Sequence, residues 1–427
     1  MRKSFKVVSL LVALFMVLGF VLTGCGKAAE AEKTPAASSE KAAASSSEPA
    51  KEVKEVTIRY GLWGSEEEQN IQKEAAKDIE KVYPGVKLEV TPYPDSTTFW
   101  QQLPAQVAAK TAPDIIQLTN EGHIEYITKG SFLPIDDEIK EAGVDLSKYA
   151  DTAKNIWTYD SKLYGIPMGA APAMFFINKE MWDAAGLKEY PKTWDEVKTA
   201  AKALTTKDVA GIICNIDAFH LTNYVLSFGG GWGNGKTINS PENVKGLEFF
   251  VSLFDEKIAT SPKHAGLGWD GEVFANKKGA MTTGGNWYKG FLKNSGPDIQ
   301  YAAIPIPKGT VEACTMHSVG IVVLKDTQDK LAAVKAAAYM AREESLQKQM
   351  EGIGLNPALT SLTAKYYEVN PEFKAIEPAV KVAKDFGYPA EGKKFIDALV
   401  GAMESKILGG DKKSVQEILD GIQKDFN

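Results

Sequence analysis

The apolar positions of the first folded segment change their spacing twice, and this predicts a strand, a helix and a second strand. Residues 55–60 form an extended run. Ser65 and Glu68 then have the spacing of a capping box, which starts a helix. Apolar residues follow at helical spacing: Ile71, Ala75, Ile79 and Val82. After a Pro-Gly stop, apolar residues alternate over 86–90, as in a strand. This order is a βαβ unit and favours a parallel sheet.

The alternation of strand and helix patterns continues along the chain and predicts an α/β fold. Further predicted strands are residues 114–118, 175–177, 211–214 and 319–324. Further predicted helices are residues 180–185, 193–204, 240–254, 329–340 and 395–407. Open α/β sheets bind ligands at the carboxyl ends of their strands. The loops after Tyr60, Leu118 and Cys214 are therefore the first places to expect a site.

The first 25 residues have the pattern of an export signal. Basic residues at the start precede an uncharged apolar run over 7–22, which is shorter than the roughly 20 residues of a membrane-spanning helix. The tetrad Leu-Thr-Gly-Cys that ends at Cys25 resembles the lipobox of bacterial lipoproteins, in which the cysteine carries the lipid. Several acyl chains anchor a protein stably. We expect a lipoprotein anchored to the cell membrane on its extracytoplasmic side.

Composition separates a tether from a folded body. Residues 26–55 are mostly Ala, Ser, Glu and Lys, a composition that buries too little surface to fold, so we expect a flexible tether. The remaining residues, about 370, are enough for two domains. A net charge of −6 disfavours nucleic acid as a partner, because phosphate binding needs clustered Lys and Arg.

The sequence carries no convincing metal or catalytic signature. Cys214 and Cys314 are either two buried thiols or a disulfide, and the four histidines lack metal spacing, so we expect neither metal nor cofactor. Residues 230–237 match the phosphate-binding pattern GxxxxGK[ST]. That site needs a strand before the loop and a helix directly after it, whereas a helical pattern precedes this loop. We therefore predict that the protein is not an enzyme.

Four stretches, in this order and spacing, resemble a known family. They are Tyr83–Val86 with Ala112–Ile116, Leu163–Pro167 with Phe176–Lys179, Phe274–Met281 with Gly285–Trp287, and Ile304–Pro307 with Ser318–Gly320. Together they are similar to the type-1 extracellular solute-binding proteins of ABC importers, which include maltose-binding protein. The chain departs from maltose-binding protein after Cys214, where His220 and Leu221 replace aromatic residues, so a long maltodextrin is not the expected ligand.

The resemblance implies a two-lobed periplasmic-binding-protein type II fold, the Venus flytrap, with hinge strands between the lobes. The first lobe would comprise residues 56–170 and 318–372, and the second residues 171–317 and 373–427. Such a protein is a monomer that closes around a small ligand and delivers it to the permease subunits. A carbohydrate is the expected ligand.

The resemblance and the strand-end rule together yield a set of candidate ligand-binding residues. Aromatic faces suit the C–H faces of a sugar, and planar polar groups suit its hydroxyls. The first candidates are Trp287, with Asn286 and Tyr288 beside it, and Trp63 with Glu66 from the opposite lobe. The others are Asn120, Glu121, Asp217, His220, Asn223, Trp232, Trp269, Asp270, His317 and Tyr388.

Several of these residues have an equally simple structural interpretation. Glu66 could be a helix-start acid, Asn120 and Glu121 turn-forming polar residues, and His220 a surface histidine. The tryptophans of the glycine-rich loops could pack beneath those loops, and His317 could serve the hinge.

Rival functions remain open at this point. A non-sugar solute such as an oligopeptide, a polyamine or an anion would keep the importer role. A polyamine would need several acids converging on the cleft, and an anion would need Arg, of which the folded body has few. A surface hydrolase would turn over a chromogenic glycoside, and a structural adhesin would bind no small ligand.

Overall fold

The computed structural model describes residues 54–426. The predicted signal peptide, Cys25 and most of the predicted tether therefore lie outside the described residues. Within the described range, no helix combines the length and the apolar character that a membrane span requires.

Two mixed sheets and a short hairpin organise the described chain. The strands are β1 (Val56–Leu62), β2 (Val86–Pro92), β3 (Ile115–Thr119), β4 (Thr158–Tyr159), β5 (Lys162–Leu163), β6 (Gly165–Pro172), β7 (Met174–Asn178), β8 (Ile212–Ile213), β9 (Ala259–Thr260), β10 (Met281–Gly284), β11 (Tyr301–Pro305), β12 (Cys314–Val323) and β13 (Ala383–Lys384). The first sheet has the order β13–β12–β3–β1–β2, with β6 also paired to β12. The second sheet has the order β11–β7–β10–β8–β9.

The helices alternate with these strands, as the sequence predicts for an α/β fold. They are α1 (Glu66–Ala76), α2 (Ile79–Val82), α3 (Ser96–Ala108), α4 (His123–Thr128), α5 (Asp136–Glu141), α6 (Asp151–Ile156), α7 (Lys179–Ala184), α8 (Trp194–Leu204), α9 (Ala218–Ser227), α10 (Pro241–Asp255), α11 (Pro262–Ala265), α12 (Asp270–Ala275), α13 (Trp287–Ser295), α14 (Lys330–Met340), α15 (Glu343–Ile353), α16 (Thr360–Val369), α17 (Gly392–Ile407) and α18 (Val415–Gln423). The 3₁₀ segments are Leu146–Lys148, Gly233–Gly235, Pro371–Lys381 and Lys424–Phe426.

The predicted helix starts are confirmed by their hydrogen bonds. Ser65 and Thr193 both form complete capping boxes, each with a glutamate three residues further on. Ser240 caps α10, and its Oγ accepts a hydrogen bond from the backbone N–H of Asn243. These side chains satisfy backbone N–H groups that have no partner inside the helix. The parallel pairing of β1 with β2 also confirms the predicted βαβ unit.

The prediction of one continuous helix over 65–82 is wrong in its second half. Helix α1 ends at Ala76 and α2 begins at Ile79, so a turn interrupts the helical spacing. A turn shifts the phase of every later position, and Val82 is consequently 56% exposed instead of lying on the apolar face. Ile79 keeps its predicted buried position.

The loop that matches the phosphate-binding pattern lies between two helices. Helix α9 precedes it, and α10 begins only at Pro241. The side chain of Asn243 accepts a hydrogen bond from the N–H of Gly231 (2.8 Å) and donates to the carbonyl oxygens of Gly231 and Thr237. The loop thus binds a side chain of its own protein and lacks the strand–loop–helix context of a phosphate site.

The chain passes between the sheets through long strands. Strand β6 pairs with β12 in the first sheet, and only Ala173 separates it from β7 in the second sheet. The return path runs from β11 in the second sheet to β12, which pairs with β3 and β6 in the first. The carboxyl end of β6 and the amino-terminal part of β12 therefore lie where the two sheets approach each other.

The two described cysteines are free and buried, so they are thiols and not a disulfide. Burial raises the pKa of each thiol to about 12, which keeps both protonated and unreactive at neutral pH.

Candidate binding site between the two sheets

Three aromatic rings meet where the sheets approach each other. Phe219 comes from the first turn of α9, Trp287 opens α13, and His317 lies on β12. The ring centroids are 5.4 Å apart for Phe219 and Trp287, 4.9 Å for Trp287 and His317, and 6.0 Å for Phe219 and His317. Trp287 and His317 are both half-buried. The group therefore offers a partly accessible aromatic surface.

The first sheet contributes a second aromatic group. Trp63, which follows β1, packs on Phe99 at 4.3 Å and on Trp100 at 6.0 Å between ring centroids. A Cβ atom on Gly122 would lie 2.7 Å from the Trp100 ring, so the ring rests directly on this glycine. Glu121 is its neighbour in the chain. The two half-buried tryptophans consequently lie on the same side of the molecule as Glu121.

Glu121 has an acid side chain without a hydrogen-bond donor among the described residues. Its Oε1 lies 3.8 Å from Nε2 of His317, beyond hydrogen-bond distance. Burial and, next, the negative charge of Asp217 raise the pKa of the Glu121 carboxyl to about 7, against a smaller opposing effect of His220. Burial also lowers the pKa of His317 to about 4, so this imidazole is neutral at pH 7 and does not compensate Glu121.

The second sheet contributes a hydrogen-bonded network around His220. Asp217 caps α9, and its carboxylate lies 2.7 and 2.8 Å from Nδ1 of His220. The other ring nitrogen lies 3.5 Å from Asp270 and 3.2 Å from the carbonyl oxygen of Thr283. Burial by itself lowers the pKa of His220, but the charges of Asp217 and Asp270 outweigh it and hold the pKa well above the usual value. The protonated imidazole of His220 thus forms ion pairs with the carboxylates of both Asp217 and Asp270.

Further donors hold Asp270 in its charged form. Asn215 donates to Asp270 at 2.8 Å and to Asp217 at 2.8 Å, and the hydroxyl of Tyr288 donates to Asp270. Although burial opposes ionisation, the charge of His220 and these hydrogen bonds lower the pKa of Asp270. Asp217 has fixed partners on one side and a side chain that remains 41% exposed. It is the member of the network that a ligand can reach.

The network contains the residue types of a metal site. Ligand atoms of Asp217, His220 and Asp270 all lie within 4.8 Å of one another. A metal needs a neutral imidazole, whereas the two carboxylates hold His220 protonated. The donors fit an internal ion network better than a metal ion.

Three predicted asparagine contacts instead support the walls of the site. Asn120 donates to the carbonyl oxygen of Met316 and to Asp385, and its own oxygen accepts from the N–H of Ser318. Asn223 binds backbone groups of Phe219 and Thr315, and Asn286 donates to the carbonyl oxygen of Gly354. Because these buried amides already have protein partners, they position neighbouring elements in this structure.

Trp232, a predicted ligand contact, is completely buried in this structure. Its Nε1 donates to the Thr222 hydroxyl at 2.9 Å, and its ring packs edge-on against Phe395. The Tyr388 hydroxyl lies 3.2 Å from the same Thr222 oxygen. Trp232 therefore supports Tyr388, which keeps a small exposed fraction at the site.

The remaining predicted residues lie behind or away from the site. Tyr288 is fully buried, with its ring stacked on Phe176. Trp269 packs edge-on against Tyr288 and covers Gly271, so it lies beneath its loop. Glu66 is exposed in the first turn of α1, where an acid favours the helix dipole.

The sequence interpretation missed Trp100, Phe219, Asn215 and Asp385. A signal existed for Trp100, because Phe99 and Trp100 are adjacent in a helix and neighbouring positions cannot both face the core. Phe99 is fully buried, and Trp100 is left half-buried beside Gly122.

Comparisons with known proteins agree with this architecture. The model of the family described as bacterial extracellular solute-binding protein matches residues 63–347. An uncharacterized ABC transporter extracellular-binding protein of Pyrococcus horikoshii is 27% identical over 326 residues, which cover 71% of this chain and 70% of that protein. The arabinooligosaccharide-binding protein of Bacillus subtilis is 25% identical over 365 residues, 81% of this chain and 78% of the relative.

A solved structure shows the same two-lobed fold. An ABC substrate-binding protein of Listeria monocytogenes, in complex with cycloalternan, superposes with a TM-score of 0.80 at 24% identity. The match covers 87% of this chain and 98% of that one. The chain therefore shares the fold of a two-domain substrate-binding protein.

Proposed function

The chain belongs to the bacterial extracellular solute-binding protein family, and from this premise we propose that it captures a mono- or oligosaccharide for an ABC importer. One observation carries the proposal: Trp287 and Asp217 from the second sheet and Glu121 from the first lie around the same site. A sugar has apolar C–H faces and hydroxyl groups, so an aromatic ring and fixed acceptors on opposite sides match its chemistry.

The relatives support a carbohydrate as the ligand class. The Bacillus subtilis relative is an arabinooligosaccharide-binding protein, and the Listeria monocytogenes structure contains cycloalternan. The Bacillus subtilis relative binds an oligosaccharide by its name, and the proposal covers monosaccharides as well as oligosaccharides.

Closure of the lobes would provide the signal for the permease. A ligand that contacts Trp287 and Glu121 together binds the closed form better than the open form, and this difference shifts the equilibrium toward closure. Micromolar affinity corresponds to about −8 kcal/mol, which is enough to support such a bias. The importer's permease subunits are the proposed partners, and the closed form is the state they recognise.

Binding without catalysis is also part of the proposal. The family comprises binding proteins, and Asp270 is committed to His220, Tyr288 and Asn215 instead of facing a reacting bond. A surface hydrolase would release chromophore from a chromogenic glycoside, and we expect no release.

The chain is further proposed to be held at the membrane by lipid on Cys25. The lipobox-like tetrad supports this location, and several acyl chains are enough for stable anchoring. In cells, Cys25→Ala should move the protein from the membrane fraction to the soluble fraction. Retention of the variant at membranes would contradict the anchor.

The central test is thermal unfolding of the mature chain with a panel of mono- and oligosaccharides, polyamines and peptides. A ligand specific for the folded state adds about 2.7 kcal/mol at one hundred times its Kd and raises the midpoint. Trp287→Ala should weaken binding of the responding sugar at least about 30-fold, as expected for a central aromatic contact.

Trp182→Phe is the matched control, because Trp182 is buried on α7 outside the aromatic group of the site. It should leave the midpoint shift produced by the sugar in place. A panel in which no sugar raises the midpoint, while a peptide does, would retain the importer role and reject a carbohydrate ligand.

A further inference from the structure

Three carboxylates converge on the candidate site from different parts of the chain. Glu121 follows β3, Asp217 caps α9, and Asp385 follows β13. Asp385 accepts a hydrogen bond from Asn120, the neighbour of Glu121. Oε1 of Glu121 lies 3.8 Å from Nε2 of His317, and the His317 ring lies 6.0 Å from that of Phe219, two positions after Asp217 in the chain. The acids therefore share one region.

The protein does not balance this negative charge. No described lysine or arginine forms an ion pair with Glu121, Asp217 or Asp385. His220 carries a positive charge, but Asp217 and Asp270 already share it. His317 is neutral, because burial lowers its pKa to about 4. Among the described residues, Glu121 thus has no hydrogen-bond donor and no ion pair with a charged side chain, and the charge of His220 lowers its pKa less than burial and Asp217 raise it.

Aromatic faces surround the same region. Trp287 and Phe219 lie on the side of the second sheet, and Trp63 and Trp100 on the side of Glu121. Aromatic faces attract cations, and the attraction strengthens where water is excluded. Carboxylates without counter-charge next to accessible aromatic rings are a combination that suits an organic cation.

We propose that the ligand is a sugar that carries a free, protonated amino group, and that this group lies between Glu121 and Asp217. The inference rests on the proposed function and specifies its substrate class. Hydroxyl groups of a neutral sugar can donate to a carboxylate, but they leave its charge uncompensated, whereas an ammonium group supplies both donors and charge. An N-acetylated amine has lost that charge and should bind like a neutral sugar.

Binding of an ammonium group should release a proton near neutral pH. The Glu121 carboxyl, with a pKa of about 7, is partly protonated in the free protein. A nearby cation favours its ionised form, so a ligand whose amine is already protonated displaces the Glu121 proton to the buffer. The other titratable groups around Glu121 are Asp217, His220, His317 and Tyr388. A neutral sugar provides no charge to drive this release.

The test is titration calorimetry of the mature chain with matched ligands at pH 6, where the Glu121 carboxyl is mostly protonated and the sugar amine is charged before it binds. The set comprises β-1,4-linked glucosamine oligosaccharides, their N-acetylated forms and the corresponding glucose oligosaccharides, each measured in two buffers of different ionisation enthalpy. We expect the free amine to bind at least tenfold more tightly than both matched sugars, and to show a buffer-dependent enthalpy that reports proton release.

Glu121→Gln should remove at least tenfold more affinity for the amino sugar than for the glucose oligosaccharide, and it should abolish the proton release. Asp137→Asn, an exposed acid on α5, is the control and should leave the preference for the amine in place. If Glu121→Gln leaves the ratio of the affinities for the amino sugar and the glucose oligosaccharide unchanged, the assignment of Glu121 is contradicted.

The failure of this inference and the failure of the proposed function have different signatures. If the glucose or N-acetylated sugars bind as tightly as the free amine, the amino-sugar inference is rejected and carbohydrate binding stands. If a linear polyamine binds and every sugar fails, both are rejected and the importer takes up polyamines.

Discussion

Three acids lie around the same site, but their surroundings differ. Asp217 and Asp270 lie in helical segments beside the second sheet, and Glu121 follows β3 of the first sheet. The two aspartates are linked by His220 and Asn215, and Asp270 also accepts from Tyr288. Glu121 has only a neutral imidazole 3.8 Å away. The acids beside the second sheet, Asp217 and Asp270, are therefore held by protein partners before a ligand binds. Glu121, beside the first sheet, is still available to form an ion pair with a ligand. We call these two sides of the site the second wall and the first wall.

The two walls should change the free energy of folding in opposite directions: the network of Asp217, His220 and Asp270 should stabilise the fold, and the Glu121 carboxylate should destabilise it. A buried charge with complete partners is strongly destabilising only when one partner is removed. A carboxylate that is buried without partners costs stability as it stands. Proteins tolerate such a cost where function needs it, so substitutions that relieve it stabilise the fold and impair binding. Stability measurements on the two walls can therefore distinguish a structural acid from a functional one.

The largest effect on the free energy of unfolding should come from Asp270→Asn, which removes one charged partner of His220. This substitution keeps the shape but leaves the protonated His220 with Asp217 alone, and removal of one partner of a buried pair costs about 3 kcal/mol or more. We expect the free energy of unfolding in urea to fall by about that amount. Asp298→Asn, at an exposed acid without a hydrogen bond or ion pair to the described residues, is the control and should change it by less than about 0.5 kcal/mol. An equally small change for Asp270→Asn would show that the network is not a structural unit.

A smaller effect of opposite sign should come from Glu121→Gln. The folded-state pKa of Glu121 is raised to about 7 from an ordinary 4.5, so its contribution to stability is fully present below pH 4.5 and is lost as the pH rises through 7. At pH 8 the variant should be more stable than the parent by about 1 to 2 kcal/mol, less than the full shift implies because the side chain is 27% exposed.

The pH dependence provides the check on this prediction. The stability gain of Glu121→Gln should shrink as the pH is lowered and vanish near pH 4.5, where the parent carboxyl is protonated in both states. Urea unfolding at pH 8, 7 and 5 measures the trend. A gain that stays constant over this range would mean that the amide packs better for reasons unrelated to charge.

Local sequence patterns predicted most of the elements and the loops that form the site. Capping at Ser65 and Thr193 depends on residues three positions apart, so the sequence alone reveals it. The rule that ligands bind at strand ends points to the loops that contain Glu121 and Asp217, and it remains a prediction for the ligand. Local patterns failed where a turn shifts the phase of a helix, as at Val82.

The roles of individual polar residues could not be predicted, because their partners are distant in the chain. Asn120 binds Ser318, 198 positions away, and Asn286 binds Gly354, 68 positions away. No local spacing distinguishes these structural amides from ligand-binding ones. The burial of Trp232 could not be predicted for the same reason, since Phe395, which packs against it, comes from the last part of the chain.

The position of β12 in the first sheet has a consequence for how the chain matures. This strand lies between β3 and β13 and also pairs with β6, so the sheet that begins at Val56 is completed only when residues 314–323 are available. Contacts between such distant segments are slow to form. Until residues 314–323 have been made, β3 and β6 lack the strand that joins them, so we expect the first sheet to form late in synthesis.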